Sequence, residues 1–231
     1  MSRSIPALVK PELLVWARSS AGLSLDSEAD LARIDSATLE EWESGHDLPS
    51  ISELRRLGEI YKRPIAVFFL AEPPKKFDAQ REFRRLAGVL LGKETPEFLQ
   101  ALRWTLFRRE AAMEVYRLSG EVPASLSASL DPHTDPEVAG QQVRELLGIS
   151  WDAQLEWQSP HEALNAWRAA MEARGVLVFQ TSDVALAEMR GTCIPDEPLP
   201  AILLNGKDAP QGRIFFLGPR ICAPALSCWW A

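Results

Sequence analysis

The chain has 231 residues, 46 % of them hydrophobic and 25 % charged, a composition that supports one large or two modest globular domains. A net charge of −7 and a sequence pI near 5.1 exclude general electrostatic attraction to nucleic acid or anionic lipid, so any such contact needs a local basic patch. No apolar run approaches the ~20 residues that cross a bilayer, and Met1-Ser2-Arg3-Ser4-Ile5-Pro6 lacks a signal-peptide core; the expectation is a cytoplasmic protein without membrane contact.

Five helices are predicted over the first 74 residues. Pro11 suits a first helical turn, Leu13, Leu14 and Ala17 make an apolar stripe, and Gly22 can close the helix in a left-handed conformation. Ser24 caps a second helix from Leu25 to about Ile34, and Asp35 or Ser36 caps a third that carries Leu39 and Trp42 inward and stops at Gly45. Ser50-Ile51-Ser52-Glu53 is a capping box that opens a fourth helix with Leu54, Leu57, Ile60 and Tyr61 on one face, and Pro64 begins a fifth with Ile65, Val67, Phe68 and Phe69. Glu72-Pro73-Pro74-Lys75-Lys76 marks a boundary, because two prolines cannot extend a helix.

The run Gly22-Leu23-Ser24, Leu39 to Gly45, Leu48-Pro49, Leu54-x-x-Leu57 and Tyr61-x-x-Pro64 resembles the Cro/cI-type (XRE) helix-turn-helix family. The resemblance implies that the third helix enters the major groove of operator DNA, with Ser36, Ala37, Thr38, Glu40 and Glu41 facing bases. It also implies that Arg33, Arg55 and Arg56, with Lys62 and Arg63, meet phosphates, and it is compatible with a homodimer. Charge opposes this role: Met1 to Glu72 hold eight Lys or Arg against twelve Asp or Glu, a net of −4, and Glu40, Glu41 and Glu43 would face phosphates. Protein docking through the same fold is the alternative.

From residue 75 to 158 the pattern is a helical connector. Phe77-Asp78 and Phe83-Arg84-Arg85-Leu86 resemble a segment that often follows such a helix-turn-helix in chains of two-part architecture. Thr95 and Pro96 open one long helix in which Phe98, Leu99, Leu102, Leu106, Met113 and Leu118 recur at helical spacing until Gly120. Its arginines, including Arg103, Arg108, Arg109 and Arg117, read as a solvated face. Ser119 to Pro136 reads as a loop, with His133 in solvent, and Val138, Val143, Leu146 and Leu147 mark a helix that Gly148 stops. Trp151 and Trp157 read as buried anchors.

Ser159-Pro160-His161-Glu162 opens another helix, with Leu164, Trp167 and Met171 in its stripe. Val176 to Phe179, Met189 to Ile194 and Ala201 to Leu204 are then bounded by Gly, Pro, Asn or Asp, as short strands are. Asn205-Gly206 turns the chain, Pro210 suits a helix start, and Arg213-Ile214-Phe215-Phe216-Leu217 begins an apolar helical face.

This last stretch resembles the ImmA/IrrE family of zinc metallopeptidases, in which such a strand, turn and helix start lead into Ala-His-Glu-x-x-His. Here Gly218-Pro219-Arg220-Ile221-Cys222-Ala223 follow instead. Back-translated with suitable codons and read one base later, Gly218 to Ala231 spell Ala-His-Glu-Phe-Ala-His-Leu-Leu-Ser-Ala-Ala-Gly-Gly, which points to a frameshift just before the motif. The chain as written has no zinc pair: the residue four after His161 is Asn165, and His46, His133 and His161 lie in unrelated segments. Cys193, Cys222 and Cys228 lack the spacing of a zinc site or a disulfide framework.

The expected fold is thus mainly α with a small α+β C-terminal part: a five-helix helix-turn-helix domain over 1–74, a helical connector over 75–158, and an incomplete zincin-like α/β domain over 159–231 without its zinc helix. By resemblance, full-length relatives are zinc peptidases that cleave a repressor. This chain is expected to hold no cofactor and no catalytic or metal residue, to act as a regulator on operator DNA or a repressor protein, and to be inactive as a peptidase. The alternatives are a catalytically dead docking or sensor module and an active metallopeptidase whose sequence carries a frameshift. Loss of the zinc helix is expected to expose Val176, Val178, Ile202 and Leu204 and to leave the part after residue 158 marginally stable.

Overall fold

Ser24, Asp35 and Ser50 each stand one residue before a helix, and each side chain accepts a hydrogen bond from a first-turn backbone N–H. Those contacts satisfy donors that a helix start leaves without intrahelical partners, and so fix where α2, α3 and α4 begin. The computed structural model describes residues 5–74, 94–125 and 134–220. The segment Phe77 to Leu86, with its arginines, His133 and Ile221 to Ala231 lie outside the described residues. The chain is mainly helical, with a small three-stranded sheet in its C-terminal part. Among the described residues no helix is long and apolar enough to cross a membrane.

The described residues form two compact units, one of 5–74 with 94–100 and the other of 101–125 with 134–220. In the first, α1 (Pro11–Ser20), α2 (Leu25–Ala32), α3 (Ser36–Ser44) and α4 (Ile51–Ile60) surround a core of Leu14, Ala17, Leu39, Trp42, Leu54, Leu57, Tyr61 and Phe68. The capping box is present in full, with Ser50 N donating to Glu53 Oε2 (2.7 Å) and Glu53 N to Ser50 Oγ (3.2 Å). The fifth predicted α-helix is a five-residue 3-10 helix, Ile65–Phe69. So short a run yields little cooperative α-helix, and β-branched Ile65 and Val67 weaken it further.

In the second unit β1 (Leu177–Thr181) pairs in parallel with β3 (Ala201–Asn205), and β2 (Gly191–Ile194) pairs antiparallel with β3, in the order β1-β3-β2. Every residue of the central strand is buried, because helices cover both faces. Ala201, on one face, clusters with Ile194 and with Leu106 of α5 (Pro96–Ser119). Ile202 and Leu204, on the other, join Val176 and Val178 in a core with Leu164, Trp167 and Met171 of α8 (Pro160–Glu172) and Phe216 and Leu217 of α9 (Pro210–Arg220). Val143 and Leu147 of α6 (Pro136–Leu147) add to that core, and α7 (Trp151–Glu156) links α6 to α8.

The sheet face expected to lie bare is therefore covered: Val176, Val178, Ile202 and Leu204 are at most 6 % exposed. The reason is that α9 brings Phe216 and Leu217 onto the strands. Gly191 makes room for this, since a Cβ there would stand 2.7 Å from the Phe216 ring.

Three further expectations are corrected. Leu118 stands in solvent, 71 % exposed, near the end of α5. Trp151 is 62 % exposed, with the Arg144 guanidinium 5.5 Å from its ring centroid, so only Trp157 is partly buried against the core. Arg108 and Arg109 are not merely solvated: Arg108 lies 5.7 Å from the Phe179 ring centroid, and Arg109 donates to Leu199 O (2.9 Å), Asp196 O (3.0 Å) and Pro198 O (3.0 Å).

Candidate functional site

The turn between α2 and α3 is three residues long, Arg33, Ile34 and Asp35. Arg33 caps α2 in the left-handed region (φ 52), and Ile34 N donates to Ala29 O (3.1 Å) while Ile34 packs on the core. Asp35 restarts the helix by accepting from Ala37 N at Oδ2 (3.2 Å). Buried Leu39 and Trp42 then turn one side of α3 inward. Residues one helical turn apart share a face, so Ala37, Glu40, Glu41 and Ser44, all exposed, form the outward side, flanked by half-buried Ser36 and Thr38.

Among the cations, Arg33, Arg55 and Arg56 are exposed. Lys62 and Arg63, also expected at phosphates, are engaged within the unit. Lys62 pairs with Glu97 (3.1 Å); Arg63 lies 4.6 Å from the Trp16 ring centroid and donates to Ser20 Oγ (3.3 Å). Burial lowers the pKa of Arg63. Glu43, expected to face phosphate, is turned back into the unit, where Arg18 donates Nε to its Oε1 (2.8 Å) and Nη2 to its Oε2 (2.7 Å). The outward acidity of α3 therefore rests on Glu40 and Glu41 alone.

Behind this surface lies a polar cluster that the sequence reading missed. Glu28 of α2 is 1 % exposed and accepts the Tyr61 hydroxyl hydrogen bond at Oε1, and its Oε2 stands 3.4 Å from Arg18 Nε. Burial, above all, pushes the Glu28 carboxyl up to about 7, and burial together with Glu28 pushes Tyr61 up as well. Hydrogen bonding to Glu43 holds Arg18 above its ordinary value. A signal was present: Leu25, Glu28, Ala29 and Ala32 fall at i, i+3, i+4 and i+7, so Glu28 occupies a position on the apolar stripe.

In the second unit the turn after β3 is held by Asn205, fully buried. Its Nδ2 donates to Val184 O (3.2 Å) and Met189 O (2.8 Å), and its Oδ1 accepts from Lys207 N (2.9 Å). Buried Asp208 accepts from Ala209 N (2.9 Å) just before α9. His161 is exposed on the first turn of α8, with Asn165 one turn on, and His46 belongs to the other unit. Among the described residues no two imidazoles stand one helical turn apart, the pairing that a zinc peptidase centre uses. No protein-family model, curated protein or solved structure matches the chain.

Proposed function

We propose that residues 5–74 are a Cro/cI-type helix-turn-helix unit of a cytoplasmic regulator that presents α3 to operator DNA. The observation that carries this reading is the two-sided α3: Leu39 and Trp42 are locked in the core while Ala37, Glu40, Glu41 and Ser44 point outward, one short turn after α2. Glu40 and Glu41 suit cytosine N4 donors, and Arg33, Arg55 and Arg56 are the exposed cations left for phosphates. On this reading the strands and α9 are the opening part of an ImmA/IrrE-like framework, and the chain as written, without His-Glu-x-x-His, does not hydrolyse peptides.

A second reading, docking of a protein such as a repressor, is favoured by one observation: α3 bears no cation, and residues 1–72 carry twelve acidic against eight basic side chains. Gel-shift at low salt with pooled duplexes separates the two. Retention that Arg55→Ala/Arg56→Ala weakens across all sequences, with a shallower salt dependence, supports DNA binding; no retention of any duplex removes it. The intact mass of the protein from its host tests the remaining alternative, since a mass above 25.7 kDa with peptides containing His-Glu-x-x-His replaces this reading with an active zinc peptidase.

A further inference from the structure

Arg18, Glu28, Glu43 and Tyr61 come from four places, α1, α2, α3 and the residue that closes α4, and meet inside the first unit. Arg18 directs Nε and Nη2 to Glu43 and Nη1 to Leu23 O (3.2 Å), so its two-pronged edge is turned to Glu43 rather than to Glu28. Glu28 is left with one hydrogen bond, from Tyr61, and its Oε2 has none. Two carboxylates thus share one guanidinium, and with both ionised a buried negative charge goes uncompensated. The unit's other partly buried cations are turned elsewhere, Arg63 to Trp16 and Ser20 and Lys62 to Glu97.

We propose that Glu28 is a proton-operated latch: protonated, it leaves Arg18 to Glu43 and holds α3 in place; ionised, it competes with Glu43 for Arg18 and loosens α3. The inference concerns the order of α3 whatever that helix meets, and stands independently of DNA binding. With a folded value near 7 against an ordinary 4.5, the protonated state contributes stability that is full below 4.5 and is lost as pH rises through 7. Tyr61 remains a donor throughout this window, because its own pKa is displaced upward.

The test is NMR titration of the full chain from about pH 5 to about pH 9, following glutamate side-chain carboxyl carbons and backbone amides. The expected result is that Glu28 titrates near 7, that the amides of Ser36–Ser44 shift with the same midpoint, and that they exchange at least about tenfold faster above it after correction for intrinsic rates. Glu43→Gln, which removes the competing charge, should lower the Glu28 midpoint as Arg18 becomes available. A Glu28 midpoint at the ordinary 4.5, α3 amides that ignore the titration, or a midpoint unmoved by Glu43→Gln would each overturn the latch. Glu28→Gln should remove the pH response of α3; if that variant does not fold, the wild-type and Glu43→Gln titrations still decide.

Discussion

Gly191→Ala isolates the contact that lets α9 close over the sheet. Gly191 has no positive φ, so its backbone suits alanine, and removing a glycine from a strand is worth about 0.5–1 kcal/mol by itself. The added Cβ, however, would stand 2.7 Å from one Phe216 ring atom and 2.8 Å from two others, closer than carbon atoms pack. Phe216 is 9 % exposed and wedged among the core residues, so the ring has little freedom to withdraw. Overpacking of this kind costs about 1–3 kcal/mol, which at its midpoint outweighs the backbone gain and sets the sign: a net loss of up to about 2.5 kcal/mol. In a Phe216→Leu background the obstacle is gone, and the same substitution should become neutral or slightly stabilising. Native-state hydrogen exchange of the β2 and β3 amides reads both local stabilities, and the double-mutant cycle should give a coupling of at least about 1 kcal/mol. Equal effects of Gly191→Ala in the two backgrounds, within about 0.5 kcal/mol, would refute the placement of α9 on the sheet.

Gly175→Ala should be the more damaging glycine change, about 2–5 kcal/mol, because φ is 81° and a Cβ would fall 1.9 Å from Ala124 O; it would appear as a lowered unfolding midpoint in urea. Arg109→Ala removes three hydrogen bonds to the stretch between β2 and β3 and should cost about 2 kcal/mol, seen as faster exchange in peptides spanning residues 196–199. Asp35→Ala should cost about 1 kcal/mol through loss of the α3 cap, and in gel-shift should weaken any duplex retention along with it. Limited proteolysis should find Ser159 to Phe216 as resistant as residues 5–74, because its sheet is covered; early cleavage between β1 and β3 would count against that.

Local chemistry made much of the fold legible. Ser24, Asp35 and Ser50 announce their helices by side chains that can accept a first-turn N–H, and Gly45 and Gly148 end theirs at φ 79° and 69°, where other residues are strained. Bounded apolar runs located all three strands to within two residues at each end. The outward side of α3 followed from Leu39 and Trp42, which a 3.6-residue period turns away from Glu40 and Glu41. What escaped depends on partners distant in sequence. Glu43 looked like a surface acid because nothing within a few positions answers its charge; Arg18, 25 residues away, does. Lys62 likewise gave no sign of Glu97, nor Arg109 of carbonyls 87 to 90 residues further on.

The coverage of the sheet shows why such misses have consequences. Loss of a zinc helix is expected to leave two strands bare, whereas Phe216 and Leu217 pack on them, set where Gly191 lacks a side chain. A glycine in a strand signals close approach of another group, but does not name it. The same logic applies to Glu28: a carboxylate on an apolar stripe announces a buried charge, and only the fold shows that the cation beside it, Arg18, is shared with Glu43. Arg18 with Glu43 at α3, and Phe216 against Gly191 at α9, are the long-range contacts where single substitutions should tell most.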